Sequence, residues 1–222
     1  MSYKEEMLQC GDSFDGCAGL EDVQSFDEWI DFERRLREKY KSGYVPSEVF
    51  LAVRRKDDFV VGMIDFRHPL SDFLKNFGGN IGYSVRPSER RKGYASEMLG
   101  LVLPFCRAFG ESKVLVTCDK RNVASQRTII KNGGVMENEI VDTVGLDWTS
   151  SRPAQPSKLS PHCNISSLYD MTCFAYSLDG LTNINSRITF ILTNLNLSIQ
   201  GNTIPLLYLS HRYYHPEILL NK

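Results

Sequence analysis

The stretch RPSERRKGYAS (86–96) places four cationic side chains and a proline ahead of Gly93, just where a helix-like apolar pattern begins. It follows the strand-like run NIGYSV (80–85), so it lies at a strand-to-helix junction. The first N–H groups of a helix have no partner within the helix, and the helix dipole makes that end partly positive. A glycine lets a phosphate approach the backbone, and Ala95 keeps the first turn slim. The stretch therefore predicts an anion site or, on its charges alone, a solvated basic loop.

The composition limits the classes of protein that the chain can represent. Its 222 residues are 42% hydrophobic, which is enough for a core. The 26 basic and 27 acidic residues nearly cancel, so no global charge points to nucleic acid or to an anionic membrane. The six cysteines form no C-x-x-C pair, which favours reduced thiols and no metal. No apolar run has the ~18 residues of a membrane helix. We expect a soluble, cytoplasmic protein.

The first 147 residues alternate between helix-like and strand-like patterns. Helices are predicted where apolar residues recur every three or four positions, and strands where β-branched and aromatic residues alternate or cluster. The predicted order is helix, β-hairpin, strand, helix, strand, helix, strand. The segments are 25–40, the hairpin strands 48–55 and 59–66, then 80–85, 94–110, 113–118, 122–134 and 135–144.

Charged residues become scarce after residue 147, and the sequence turns rich in Ser, Asn and Pro. We therefore predict a globular domain over 1–147 and an irregular C-terminal extension over 148–222. Within the extension only 186–192 and 203–210 have strand-like patterns. The extension could be lineage-specific, poorly ordered or unrelated to the fold. The segment 186–192 could also pair with the strand predicted over 135–144, which otherwise ends the sheet.

The six residues RRKGYA (90–95) resemble the Q/R-x-x-G-x-G/A motif of the GNAT superfamily of acyl-CoA-dependent N-acetyltransferases. The resemblance extends over about residues 20–145, because the strands before and after the motif and a helix opened by Asn122 follow in the family's order. The chain is similar to a bacterial branch of predicted acetyltransferases. The resemblance implies an α/β (α+β) fold, in which a mixed, mostly antiparallel central sheet is splayed at the cofactor site and flanked by helices.

The resemblance also implies a reaction: the transfer of an acetyl group from acetyl-CoA to a primary amine by direct attack in a ternary complex. Backbone N–H groups from about Arg91 to Ala95 would hold the CoA pyrophosphate, and the strand edge over 81–85 would pair with the pantetheine amides. The residues implied in cofactor binding are Tyr83, Val85, Arg90, Arg91, Lys92, Gly93, Tyr94, Ala95, Asn122 and Ser125.

The general base must take a proton from an ammonium group whose ordinary pKa is near ~10, so a carboxylate or a histidine is needed. Asp65 and His68 end the second hairpin strand beside the expected acceptor side, and we predict the base among them. The alternatives are a turn-capping role for Asp65 and a surface position for His68. Arg67 and Asp72 are candidates for binding the amine substrate.

The chain differs from the family at the residue that would donate a proton to the departing thiolate. Many members carry a tyrosine seven residues after the asparagine that opens the last core helix, whereas Ile129 stands at that position here. Since thiols have a pKa near ~8.5, a thiolate leaves without much help. Ser125 or a water molecule could supply the proton.

Two other functions remain open at the level of the sequence. A non-catalytic acyl-CoA-binding or sensing module is favoured by the missing tyrosine and by the lack of a clear first strand. A nucleic-acid-binding protein would need basic residues spread over a face, and 86–92 is one isolated basic turn, so we rank this class last. We expect a small-molecule or peptide amine as partner, no membrane or nucleic acid, and a monomer or homodimer.

Overall fold

A computed structural model of the chain describes residues 1–38, 45–141, 170–177 and 188–192. Four α-helices run over Ser2–Gln9 (α1), Phe26–Glu38 (α2), Tyr94–Phe109 (α3) and Val123–Lys131 (α4). A π-helical turn over Leu74–Gly78 and short 3₁₀ turns over Leu20–Asp22 and Pro87–Glu89 connect other elements.

Seven strands complete the described part of the chain. They are Ser47–Arg54 (β1), Phe59–Arg67 (β2), Ile81–Val85 (β3), Lys113–Asp119 (β4), Val135–Val141 (β5), Asp170–Ser177 (β6) and Ile188–Leu192 (β7). They form one sheet in the order β3-β2-β1-β7 and a second in the order β4-β6-β5, with antiparallel neighbours throughout. This agrees with the predicted fold class of antiparallel sheets and flanking helices.

Two strands come from the part of the chain that the sequence analysis assigned to an irregular extension. Strand β6 lies between β4 and β5, and its Phe174 is placed opposite Val116 and Met136. The sequence analysis did not predict this strand, because a short central strand is stabilised by long-range pairing that its own composition does not reveal.

The strand predicted over 186–192 is present as β7, but it does not pair with the strand predicted over 135–144. It pairs with β1, placing Ile191 opposite Leu51, whereas the partner of β5 is β6. Residues 203–210 lie outside the described residues. The boundary near residue 147 stays a prediction, although β6 and β7 both join sheets of the first part.

Two groups of buried side chains cover the two faces of the first sheet, because successive residues of a strand point to opposite sides. The first core cluster lies against α3 and extends to the second sheet; among its members are Ile64, Phe66, Leu99, Val102, Val116 and Phe174. The second core cluster lies beneath α1 and α2; among its members are Tyr3, Leu20, Trp29, Leu51 and Met63.

The N-terminal residues are fixed to β3 and to the turn that follows it. The Tyr3 hydroxyl lies 3.0 Å from Ser84 Oγ, and the Cys17 thiol lies 3.1 Å from the same atom. Burial raises the pKa of the Cys17 thiol, so this cysteine stays protonated. A carboxylate oxygen of Glu6 accepts the Ser88 N–H at 2.7 Å. The segment before α2 is therefore part of the structure that surrounds β3.

Phe174 provides a test of whether β6 belongs to the core. We expect Phe174→Ala to lower the free energy of unfolding by about 3–5 kcal/mol, since the side chain is 2% exposed and its removal leaves a cavity. Met136→Ala is the matched control: Met136 is the cross-strand neighbour of Phe174 but is 58% exposed, so the loss should stay below about 0.5 kcal/mol. Urea unfolding of both variants measures the difference. Equal losses would show that β6 contributes no core side chain.

Candidate functional site

The two sheets meet where β3 begins. The Asn80 N–H donates to the Leu115 carbonyl at 2.7 Å, and the Leu115 N–H donates to Asn80 Oδ1 at 2.8 Å. Beyond this contact the described residues of β3 form a ladder only with β2, and those of β4 only with β6. The sheet is therefore divided between β3 and β4, as the splayed sheet of the sequence analysis requires, and we call this division the slot.

The backbone of β3 alternates between its two edges. The Arg67 N–H donates to the Asn80 carbonyl at 2.7 Å, and the Arg86 N–H donates to the Val61 carbonyl at 2.9 Å. Even-numbered residues of this strand therefore direct their backbone groups towards β2, and the odd-numbered residues between them direct theirs towards the slot. The predicted cofactor contacts at Tyr83 and Val85 belong to the odd-numbered set.

Helix α3 begins beyond the far end of β3. Gly93 is its N-cap, with a φ of +90° and no side-chain hydrogen bond to the first turn. This left-handed backbone explains the glycine, because a residue with a Cβ is strained there. Arg91, two residues earlier, also has a positive φ, of 60°. The N–H groups of the first turn, including those of Tyr94 and Ala95, have no carbonyl partner within the helix.

Most of the positive charge of the basic stretch is already matched by carboxylates of the protein. The ion pairs are Arg86 with Glu6 at 3.2 Å, Arg90 with Asp12 at 2.9 Å and Lys92 with Glu89 at 3.0 Å. Arg91 is exposed and has no ion pair among the described residues. The cations therefore hold the turn in shape, and Arg91 is the charge that an anion at the start of α3 would meet.

Two of the predicted residues lie at the start of α4. Asn122 is the N-cap of this helix, and its Oδ1 accepts the Ser125 N–H at 3.1 Å. The Ser125 hydroxyl lies 2.8 Å from the hydroxyl of Tyr83, which belongs to β3. Ile129, which stands where the resemblance to the family implies a tyrosine, is fully buried in the first core cluster.

Asp65 is enclosed rather than exposed. Its side chain pairs with Arg67 Nε at 2.9 Å and accepts the Gly82 N–H at 2.9 Å. Burial raises the pKa of the Asp65 carboxyl, while the Arg67 cation and the Gly82 N–H oppose that rise. The backbone of Gly16 lies directly on Gly82, because a Cβ there would be 2.9 Å from the Gly16 nitrogen. Asp65 thus links β2 to β3 under the loop that precedes α2.

The other predicted acceptor-side residues are dispersed. The His68 ring stacks on Phe66 and lies 4.0 Å from the Phe109 ring, on the face of β2 opposite Asp65. Arg67 donates to the carbonyl of Gly78 at 3.1 Å as well as to Asp65. The remaining candidate, Asp72, is exposed in its side chain and pairs with Lys75 at 3.0 Å.

The sequence analysis missed several residues that shape this region. Asn80 sets the point where the sheets separate, and the carboxylates of Glu6, Asp12 and Glu89 fix the basic stretch. Glu6 and Asp12 lie far from the basic stretch in sequence, so no local motif marks them, whereas Glu89 lies within the stretch. Among the described residues there is no cluster of His, Cys, Asp or Glu suited to a metal ion, and no helix long and apolar enough to cross a membrane.

Solved structures with a similar fold include acetyltransferases. A ribosomal-protein-S5-alanine acetyltransferase from Vibrio fischeri has a TM-score of 0.51 and 14% identity, covering 82% of this chain and 89% of that one. An acetyltransferase of the GNAT family from Bacillus anthracis has a TM-score of 0.45 and 20% identity, covering 71% and 78%. A putative acetyltransferase from Salmonella typhimurium with its cofactor acetyl-CoA has a TM-score of 0.38 and 18% identity, covering 55% and 60%.

The comparison of sequences identifies the family. No curated protein matches the chain. The profile of an acetyltransferase (GNAT) domain matches residues 12–135, which is more than half of the chain and includes the slot, the Gly93 cap and helix α4. The chain therefore belongs to the GNAT family of acetyltransferases.

Proposed function

We propose that this acetyltransferase transfers the acetyl group of acetyl-CoA to a primary amine by direct attack within a ternary complex. The observation that carries the proposal is the slot between β3 and β4, which leads towards the N-terminus of α3. Acetyl-CoA supplies an activated thioester carbonyl in this family. All other parts of the reaction depend on side chains and backbone groups of the chain.

The residues at the start of α3 fit a pyrophosphate. The left-handed Gly93 leaves the N–H groups of the first turn uncovered by a capping side chain, and the helix dipole adds partial positive charge. Arg91 contributes an exposed cation that has no ion pair within the described part of the chain. The donor set is thus mainly backbone, which suits a doubly charged group held close to a helix end.

The edge of β3 fits an extended chain of amides. The odd-numbered residues of the strand direct their backbone N–H and carbonyl groups into the slot, where the described residues offer no ladder partner. The Val85 carbonyl also accepts the Arg90 side chain at 3.0 Å, which fixes the end of this edge. A backbone N–H on the edge is also suited to the negative charge that develops on the thioester oxygen during attack.

Asp65 remains our proposed general base, and His68 becomes the weaker candidate. Asp65 is bonded to Gly82 in β3, the strand that lines the slot, and a raised pKa makes a carboxylate more basic. His68 packs between rings on the other face of β2. Arg67 would hold the Asp65 carboxylate in place. Asp72 is exposed and lies apart from this pair, and its negative charge would attract the amine.

The reaction itself is tested by incubating the full chain with acetyl-CoA and a panel of small amines, amino acids and peptides while free thiol is measured. We expect thiol release that depends on at least one amine, since the family is one of acetyltransferases. Mass spectrometry should find the acetyl group on that amine. Tight CoA binding without turnover for any amine would instead favour the acyl-CoA-sensing module, the alternative function suggested by Ile129 in place of a tyrosine.

The cradle at Gly93 is tested by a pair of glycine substitutions in one helix. Gly93→Asp puts a carboxylate and a Cβ where the pyrophosphate would lie, so we expect CoA affinity to fall at least ~100-fold, as for a like charge in a buried anion site. Gly110→Asp is the control, because Gly110 is the left-handed C-cap of the same helix, and a Cβ added there would meet nothing within 4 Å.

Both substitutions strain a left-handed backbone, and the helix dipole opposes the new carboxylate only at Gly110, so Gly93→Asp should cost no more stability than the control. Calorimetric titration with CoA then separates binding from folding. Unchanged CoA affinity in Gly93→Asp would remove the cradle from the proposal.

The general base is tested by comparing Asp65→Asn with His68→Gln. For Asp65→Asn we expect kcat to fall by about 10²–10⁴-fold, because the amide accepts no proton. The acidic limb of the pH profile, in which kcat/KM falls as the base becomes protonated, should disappear. For His68→Gln we expect that limb to persist. The measurement is the pH profile with the amine found in the panel, after CoA binding shows that each variant is folded. A limb that persists in Asp65→Asn and disappears in His68→Gln would reverse the assignment.

A further inference from the structure

The side chain of Tyr83 connects the two sides of the slot. Its backbone belongs to β3, and its hydroxyl lies 2.8 Å from the Ser125 hydroxyl and 3.5 Å from the Ser125 carbonyl oxygen, both in α4. The ring packs against the first core cluster. Helix α4 follows β4 in the chain. This hydrogen bond therefore joins a phenol hydroxyl of β3, on one side of the slot, to the helix that follows β4, on the other side.

The position of this hydroxyl relates to the missing tyrosine. Ser125 and Ile129 are four residues apart in α4, so they lie on the same face of the helix one turn apart. Ile129 is fully buried and cannot present a polar group to the slot. Tyr83 therefore supplies a phenol to the same face of α4, but from the opposite side and one turn closer to Asn122.

The surroundings of Tyr83 determine what its hydroxyl can do. Burial raises the pKa of Tyr83 to about 12, and the nearby Cys118 of β4 and Asp15, its other titratable neighbours, act in the same direction. The Ser125 hydrogen bond opposes the rise. An ordinary thiol has a pKa near ~8.5, so a phenol of this kind keeps its proton when it meets a thiolate. Such a group donates a hydrogen bond but does not transfer its proton.

We propose that the Tyr83 hydroxyl, oriented by Ser125, donates a hydrogen bond to the CoA sulfur as the bond between that sulfur and the acetyl carbon breaks. The electron pair of the breaking bond goes to sulfur, the proton stays on the phenol oxygen, and CoA leaves as the thiolate. The proton released by the amine goes to the general base. Ser125 is then a positioning residue. This inference rests on the proposed function and adds a named contact to it.

The test measures a property of bound CoA rather than turnover. The ultraviolet absorbance of the thiolate, followed against pH, gives the pKa of the CoA thiol free and bound to the protein. We expect binding to lower this pKa by about one unit or more, because a charge-assisted hydrogen bond favours the thiolate about tenfold. In Tyr83→Phe the thiol pKa should return towards its free value.

A second readout separates a contact with sulfur from a general loss of binding. Above the thiol pKa, CoA should bind the natural chain about tenfold more tightly than desulfo-CoA, and Tyr83→Phe should abolish that ratio. Acetyl-CoA carries no thiolate, so its affinity should change less than about twofold in the same variant. Ser125→Ala should give an intermediate shift, since the phenol remains but is no longer oriented.

The chain offers a matched control on the other face of the same strand. Tyr3 is a buried tyrosine whose hydroxyl likewise bonds a serine, Ser84 of β3, at 3.0 Å. Tyr3→Phe should leave the thiol pKa of bound CoA unchanged.

The outcomes separate this inference from the function on which it rests. Failure of the natural chain to bind CoA would overturn the proposed function. CoA binding with the same thiol pKa in the natural chain and in Tyr83→Phe would overturn only the contact from Tyr83. Loss of acetyl-CoA affinity in Tyr83→Phe would also overturn it, by showing that the hydroxyl supports binding of the whole cofactor.

Discussion

The two hydrogen bonds between Asn80 and Leu115 determine how the site of this enzyme is built. They join the sheets at one point, and beyond that point the described residues of β3 and β4 have no common ladder. Gly79 allows the approach, since its φ is +65° and a Cβ would lie 2.6 Å from the Leu115 carbonyl oxygen. Because the strands are held together only where β3 begins, they can diverge towards α3 and leave backbone groups available for a ligand.

The ion pairs of the basic stretch fit a site that is built mainly from backbone groups. When a helix N-terminus binds an anion through backbone groups, a fixed conformation of the preceding turn is more important than unpaired cations. Arg86 illustrates the point: it is 3% exposed, pairs with Glu6 and lies over the Phe59 ring at 4.3 Å. Its guanidinium is used to connect α1, the turn and the sheet. The N-terminal helix thereby supports the turn that precedes the N-terminus of α3.

Local patterns were sufficient for the elements around Gly93 and insufficient for contacts between distant residues. The strand-to-helix junction is predictable because a glycine at a helix start, an apolar period and a preceding strand all lie within a few residues. Strand β6 was missed because its stability depends on pairing with β4 and β5, far away in sequence. The Tyr83–Ser125 contact joins residues 42 positions apart and has no signature of its own. Asp65 and Arg67 were each named as candidate site residues, but their ion pair was not predicted.

The same reasoning explains why the hydroxyl of this site comes from a strand. Position 129 lies fully inside the first core cluster, where a larger side chain would overpack the space between α4 and the sheet. A side chain that fills the core at this turn of α4 cannot also present a hydroxyl to the slot. Tyr83 avoids the conflict, because an odd-numbered residue of β3 packs its ring against the cluster while its hydroxyl reaches Ser125. Packing and the proposed stabilisation of the leaving group thus belong to different elements, and the hydrogen bond between Tyr83 and Ser125 is where the two elements meet.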